Sequence, residues 1–146
     1  MNMNEAAQAR RHKMQRLQSK RRDLVLAAEK VVLDRFARGR LFKPGKSQFS
    51  NLIGICNEAQ CAEEIANYLR YQAGRKEWDP DFALAVIKGI QPVQDALTHE
   101  AAEGAAPSAT EHPDDSAVRV GAWKLYSTYL MRAYVYSNSA MSGGRS

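Results

Sequence analysis

Apolar residues recur at helical spacing throughout this 146-residue chain, and no segment shows the two-residue alternation that is typical of a half-buried β-strand. The clearest amphipathic pattern follows Ser47 and places its apolar residues at i, i+3, i+4 and i+7: Phe49, Leu52, Ile53 and Cys56. At this length, and with 45% apolar residues, the chain can bury one hydrophobic core. The sequence therefore predicts an all-α fold, a single-domain helical bundle over residues 1–146.

We expect about five helices, of which the first is long and basic. It should run over residues 5–38, with Gly39 in the left-handed position after its last turn. The second should begin with Ser47 as its N-cap. The apolar pattern then continues to Gly74, which can end either a third helix or an extension of the second.

A fourth helix is indicated by Asp79 as N-cap, followed by Pro80 in the first helical position. Inside this helix, Pro92 removes a backbone N–H donor and clashes with the preceding turn, so we expect a kink or break near residues 89–91. Residues 98–115 then lose the apolar pattern and are rich in Ala, Gly, Pro, Ser and acids. This composition predicts a solvated, flexible loop.

The last helix should begin at Asp115 or Ser116 and has apolar, largely aromatic residues on nearly every side. These are Val118, Ala122, Trp123, Leu125, Tyr126, Tyr129, Leu130, Ala133 and Tyr134. Such a distribution is typical of a helix in the centre of a bundle. We therefore expect the other helices to surround this one.

Positive charge is concentrated in the first third of the chain. Residues 1–46 contain 13 Lys or Arg against four Asp or Glu, a balance of +9, whereas the remaining 100 residues carry 8 against 12, a balance of −4. This asymmetry suits a protein that presents one basic face to a polyanion. A solvated helix face would explain the N-terminal charges equally well.

The residue types that carry catalysis show no arrangement typical of an active site. His12, His99 and His112 are scattered, without the i, i+4 spacing of helical metal ligands. Cys56 and Cys61 stand in apolar surroundings, and we interpret them as reduced core residues. No nucleophile lies beside a base, so we expect neither an enzyme nor a bound metal or other cofactor.

No run of about 18 apolar residues indicates a membrane span. The first 23 residues are polar and basic, and they show neither a secretory signal nor a lipid anchor. The default expectation is a cytoplasmic protein without membrane contact.

The residues that we select as candidates for binding RNA phosphates lie around the expected helix ends. They are Arg38, Arg40 and Lys43 after the first helix, Lys46 and Gln48 at the start of the second, Arg70, Arg75 and Lys76 around the end of the third, and Arg132 on the last. Lys46 would add its charge to the positive end of a helix dipole, which favours a phosphate oxygen. At Gly74 the alternative is a plain helix C-cap with Arg75 near the carbonyl end, and both interpretations can hold at once.

Three pieces of the sequence form an ordered set. The first is Ser-Gln-Phe-Ser-Asn-Leu-Ile at residues 47–53, and the second is Tyr-Gln-Ala-Gly-Arg at residues 71–75. The third is the aromatic segment 126–136, which precedes Gly-Gly-Arg at residues 143–145. In this order the pieces resemble the small subunit of type III-A CRISPR effector complexes, the Csm complexes.

The resemblance implies a small α-helical protein without nuclease activity, several copies of which stack along a ribonucleoprotein filament in antiviral defence. Such a subunit would lie opposite the backbone subunits, contact guide RNA and target RNA through basic side chains, and have the backbone and large subunits of the complex as partners. Lys46, Gln48 and Arg75 are carried over from the matching pieces, whereas Arg38, Arg40 and Arg132 are added from charge placement. The segment 98–115 and the basic first helix are longer than the resemblance implies.

Two other functions stay open at this point. Residues 49–72 could form the helix-turn-helix of a small DNA-binding regulator, although Glu63 and Glu64 suit a recognition helix poorly. Alternatively, Trp123 and the tyrosines of the last helix could serve protein contacts in a pure assembly module.

Overall fold

The computed structural model describes residues 3–39, 42–102 and 113–143, and every regular element in these ranges is an α-helix. The helices are α1 (Met3–Ser19), α2 (Arg21–Phe36), α3 (Lys46–Glu58), α4 (Ala62–Gly74), α5 (Pro80–Ala102) and α6 (Pro113–Gly143). The predicted all-α bundle is therefore confirmed, with six helices where we expected about five. Arg40, residues 103–112 of the expected loop, and residues 144 and 145 of the third motif lie outside the described residues.

The long first helix that we expected over residues 5–38 is divided into α1 and α2 at Lys20. The Ser19 hydroxyl donates to the carbonyl of Arg16 at 2.6 Å, and the N–H of Lys20 donates to the carbonyl of Leu17 at 3.0 Å. Side-chain competition for a carbonyl and a three-residue turn both tighten the chain, which ends α1. Gly39 follows α2 with φ +145°, in the region that favours glycine, as predicted.

The N-cap of α3 lies two residues before the predicted one. Gly45, not Ser47, is the N-cap, and no side chain caps the helix. The carbonyl of Gly45 accepts the N–H of Gln48 at 3.1 Å, so the first turn already includes Lys46 and Ser47. The predicted capping role of Ser47 is therefore wrong, because the backbone turns into the helix before this residue.

The start of α5 follows the prediction, but its interior does not. Asp79 accepts the N–H of Asp81 on its side-chain oxygen Oδ1 at 3.1 Å, which is N-cap geometry with Pro80 as the first helical residue. Pro92 lies within a helix that continues to Ala102, so the break expected near residues 89–91 does not occur. Pro92 and Lys88 are both exposed, and water can satisfy the Lys88 carbonyl that loses its donor.

The loop expected over residues 98–115 is helical at both of its edges. Residues 98–102 belong to α5, and α6 begins at Pro113 instead of at a cap formed by Asp115 or Ser116. Proline is favoured in the first helical position, because the N–H that it lacks would have had no partner there.

The last helix, α6, is the centre of the bundle, as its composition predicted. It contacts each of the other five helices. Its buried residues are Val118, Val120, Ala122, Trp123, Tyr126, Ser127, Leu130 and Ser137. The hydroxyl of Tyr126 donates to the carbonyl of Val86 in α5 at 2.8 Å, and burial raises the pKa of this phenol.

Both cysteines are free thiols, as expected. Cys56 is buried, and its burial raises the pKa of the thiol to about 11, so it stays protonated near neutral pH; Cys61 is half-buried. In the described part of the chain, no helix combines the length and the apolar content needed to cross a membrane.

Gly89 allows α5 to approach two other helices closely. A Cβ atom at this position would lie 2.6 Å from the Tyr126 hydroxyl oxygen and 2.8 Å from Cγ2 of Val31. Both neighbours are packed side chains, so an alanine would push α2 and α6 away from α5. By contrast, Gly54 in α3 has no atom within 4 Å of the same virtual Cβ.

We expect Gly89→Ala to lower the free energy of unfolding by about 1–3 kcal/mol through overpacking. The control, Gly54→Ala, should raise it by about 1 kcal/mol, because alanine is the better helix former. Urea denaturation followed by circular dichroism measures both values. Equal effects of the two substitutions would contradict the close approach at Gly89.

Candidate nucleic-acid interface

Asp79 holds three segments together at one end of the bundle. Its Oδ2 accepts from Nη2 of Arg35 at 3.0 Å and from Nε at 3.2 Å, which ties the loop before α5 to the last turn of α2. Its backbone N–H donates to the carbonyl of Lys43 at 3.1 Å, which ties the same loop to the turn before α3. The two side chains of this ion pair are only 16% and 28% exposed, so water screens it less than a surface pair.

Aromatic side chains pack beneath this junction. The rings, whose centroids are 5.0 to 6.2 Å apart, belong to Phe36, Phe42, Phe49, Trp78, Phe82 and Tyr134. They come from α2, α3, α5, α6 and the two connecting loops, so this cluster fixes how those segments lie against one another. The guanidinium of Arg35 lies 4.5 Å from the Phe42 ring centroid and covers one edge of the cluster.

The end of α4 has the hydrogen bonds of a Schellman motif. The N–H of Glu77 donates to the carbonyl of Gln72 at 2.9 Å, and the N–H of Lys76 donates to the carbonyl of Ala73 at 3.0 Å. The left-handed residue is Lys76, with φ +64°, whereas Gly74 is still helical. The predicted end of the helix at Gly74 is confirmed, but the predicted glycine cap is wrong: Arg75 is the C-cap, and the left-handed turn falls on Lys76.

Five of the predicted cations share this end of the molecule, which we call the basic end: Arg38, Lys43, Lys46, Arg75 and Lys76. Arg38 follows α2, Lys43 is bound through its carbonyl to Asp79, Lys46 begins α3, and the last two follow α4. All five are exposed, and within the described residues their side chains form no ion pair or hydrogen bond. The ion pairs that the structure shows use other cations, namely Arg16, Lys30, Arg35 and Arg119.

Three predicted residues are placed differently. Arg70 lines a separate cleft between α4, α5 and α6, beside Arg119. Arg132 is exposed on α6, two residues or about 200° around the helix from the fully buried Leu130. The amide oxygen of Gln48 is enclosed and has no hydrogen-bond partner, so an external ligand reaches it only after the side chain rotates.

Arg38 also lines a groove of about 480 Å³ between α2 and α5. The walls of this groove carry both signs of charge, with Asp34 and Asp81 as well as Arg38 and Lys88. A mixed wall does not favour a polyanion, so the groove is not part of the candidate interface, although Arg38 lines it. No cluster of three or more potential metal ligands occurs among the described residues.

Tyr71 and Asp79 also belong to this region, but they were not among the predicted site residues. Tyr71 is 59% exposed on the last turn of α4, and the Arg75 guanidinium lies 5.5 Å from its ring centroid. Tyr71 and Arg75 are four positions apart, and this spacing in the sequence places both side chains on the same side of a helix. The pairing of Arg35 with Asp79 had no such signal, because the two residues are 44 positions apart.

Comparison of the chain with models of protein families, with curated proteins and with solved structures gave no match. The assignment of a function therefore depends on the residues of the chain itself.

We expect Asp79→Ala to lower the free energy of unfolding by about 2–4 kcal/mol, because it removes a helix cap and leaves Arg35 half-buried without its partner. Asp79→Asn should cost less, since asparagine retains the N-cap oxygen. The control is Asp34→Ala, which breaks the exposed pair with Lys30 and should cost no more than about 0.5 kcal/mol. Chemical denaturation of the three variants checks this order, and an equal cost at Asp34 and Asp79 would contradict it.

Proposed function

We propose that this chain is a non-catalytic, RNA-binding subunit of a type III CRISPR effector complex, and that the basic end contacts the RNA backbone. One observation carries the RNA part of the proposal. Five cations from three separate segments lie at one end of the bundle, and their side chains have no polar partner in the described part of the molecule. Unpaired lysine and arginine side chains on one face attract phosphates at little cost, because no existing ion pair must be broken.

The environment of these cations favours an anion further. Lys46 stands in the first turn of α3, where the helix dipole adds positive potential. The nearby acid Asp79 is already neutralised by Arg35. The α3 dipole therefore adds to the positive charge of the basic end, and the Arg35–Asp79 pair leaves that charge unchanged.

The conformation of Lys76 supports a functional role for its charge. A left-handed backbone costs a residue with a Cβ atom about 1 kcal/mol or more relative to glycine. Lys76 adopts it at φ +64°, and the side chain has no polar contact in the described residues that would offset this cost. A ligand that binds the ammonium group would explain why lysine, and not glycine, occupies this position.

The CRISPR part of the proposal is supported by the resemblance of the three sequence pieces, together with where they lie. Phe49 of the first piece packs on Tyr134 of the third, with ring centroids 5.0 Å apart. Phe49 also packs on Trp78, three residues after the second piece, at 5.4 Å. In the proposed complex, the partners are guide RNA, target RNA, the backbone and large subunits, and further copies of this chain in the cytoplasm. Base pairing between guide and target would provide sequence discrimination.

The helix-turn-helix alternative is disfavoured by the start of α4, which would be the recognition helix. Base-reading residues lie at the N-terminal end of such a helix. Here Glu63 pairs with Arg119 of α6 at 2.9 Å, and Glu64 accepts the N–H of Gln60 at 3.0 Å. Two acids engaged within the protein at this position would repel DNA phosphates and would not reach base edges.

The RNA role is tested by charge reversal at the basic end. If four to six phosphates are contacted, the affinity for single-stranded RNA should fall with salt with a log–log slope of about −3 to −4. Lys46→Glu combined with Arg75→Glu should weaken binding about tenfold or more and reduce the slope by about 1.4. Fluorescence anisotropy with a labelled oligonucleotide at several salt concentrations measures both quantities.

The matched control reverses Arg21 and Arg22, which are exposed at the opposite end of the 16-residue helix α2. A second variant, Lys76→Gly, should weaken binding about two- to fivefold, because one phosphate contact is lost. The same substitution should raise the free energy of unfolding by about 1 kcal/mol, because glycine adopts the left-handed backbone without strain. The opposite directions of the two effects separate binding from folding. Salt-independent binding, or equal losses from both reversed pairs, would show that the basic end is not the RNA surface.

The assignment to a type III complex has an independent test. The gene should lie beside genes for the large and backbone subunits and near a repeat–spacer array. Recombinant co-expression with those subunits and a guide RNA should then yield one particle that contains this chain. Absence of the neighbouring genes, or a particle that forms without the chain bound, would overturn the assignment and leave the RNA-binding role to be judged separately.

A further inference from the structure

Tyr71 is an exposed aromatic residue directly beside the basic end. Its ring is on the last turn of α4, one turn before Arg75, and retains 59% of its accessible surface. The guanidinium of Arg75 lies 5.5 Å from the ring centroid. An aromatic ring paired with an arginine next to unpaired cations combines two features of single-strand binding sites, a stacking surface and a charged backbone track.

The backbone that carries this pair is held firmly. The carbonyl of Tyr71 accepts the N–H of Arg75 at 3.0 Å. The carbonyl of Gln72 accepts two donors, the N–H of Glu77 at 2.9 Å and that of Trp78 at 3.3 Å. The Trp78 side chain is fully buried, which anchors this turn to the core. A ligand that stacks on Tyr71 would therefore meet a preformed surface and would not have to order a loop.

The core does not account for the position of Tyr71. Tyr134 is tightly packed among phenylalanine rings, and Tyr126 is fully buried with its hydroxyl bonded to Val86. Tyr71, in contrast, makes no ring contact with another aromatic residue in the described parts of the chain. Its ring is held on the surface by an arginine, and stability does not require an aromatic residue there.

We infer that Tyr71, backed by Arg75, stacks a nucleobase of single-stranded RNA whose phosphates lie on the basic end. This inference rests on the proposed RNA binding and adds a requirement for unpaired bases. It predicts that the protein prefers single-stranded RNA with exposed bases to a backbone of equal charge without bases. Stacking is tolerant of sequence, since every base has an aromatic face, so no base preference is needed.

The test compares the full-length protein with Tyr71→Ala and Tyr71→Phe on two fluorescent probes of equal length. One probe is a single-stranded oligoadenylate, and the other is the same ribose-phosphate chain with abasic residues at its centre. Tyr71→Ala should weaken binding of the oligoadenylate about 5- to 150-fold, which is the range for loss of one stacked base. Binding of the abasic probe and the salt slope should not change, because no charge is lost. Tyr71→Phe should retain the wild-type affinity for both probes.

Tyr71→Trp provides a direct optical readout. The native tryptophans, Trp78 and Trp123, are 0% and 2% exposed, so the substituted side chain would be the solvent-exposed emitter. Oligoadenylate should quench its emission, whereas the abasic probe should not. Thermal unfolding of each variant verifies the fold, and a surface substitution at Tyr71 should leave the midpoint nearly unchanged.

The outcomes separate this inference from the proposed function. If the wild-type protein binds neither probe, RNA binding itself is wrong. If it binds both probes with salt dependence but Tyr71→Ala has no effect, the basic end binds RNA and the stacking inference is overturned. An equal loss on both probes would also overturn it, because Tyr71 would then act only by positioning Arg75. If Tyr71→Ala abolished binding to another subunit but left the affinities for both RNA probes unchanged, Tyr71 and Arg75 would belong to a protein interface instead.

Discussion

The pairing of Asp79 with Arg35 is the interaction on which the arrangement of the basic end depends. A single carboxylate caps α5 with one oxygen and binds the guanidinium of Arg35 with the other, while the backbone of the same residue binds Lys43. It thereby joins the end of α2, the turn before α3 and the loop before α5. Because Arg35 neutralises the Asp79 carboxylate, this carboxylate does not pair with the surrounding cations, which stay available for an external ligand.

Beneath that joint, the molecule depends on close packing around α6. Gly89 and Gly121 allow neighbouring helices to approach to distances at which a Cβ atom would overlap Tyr126 or Leu17. The aromatic cluster around Phe49 then fixes the two connecting loops, through Phe42 and Trp78, against this core. Core and candidate site are therefore mechanically coupled: the rings that stabilise the fold also position the cations that we propose to bind RNA.

Local signals in the sequence predicted the structure correctly. Helical periodicity identified α3, α5 and α6, and Asp79 with Pro80 correctly marked the start of α5, since N-cap preferences act within one turn. The predicted helix ends were wrong where several local backbone conformations have similar energies. Ser47 was an acceptable cap, but the chain uses Gly45. The helix α4 does end at Gly74, but the left-handed turn after it falls on Lys76.

The sequence by itself determined the helical class, the central position of the aromatic last helix and the concentration of positive charge in the first third of the chain, because periodicity and charge are properties of neighbouring residues. Only the tertiary structure decided which cations lie at the same end of the bundle. Arg38, Lys46 and Lys76 meet at one end, whereas Arg70 lies at another cleft and the amide oxygen of Gln48 is enclosed. These outcomes depend on a contact between residues 44 positions apart and on ring packing among six segments, and no local pattern encodes either.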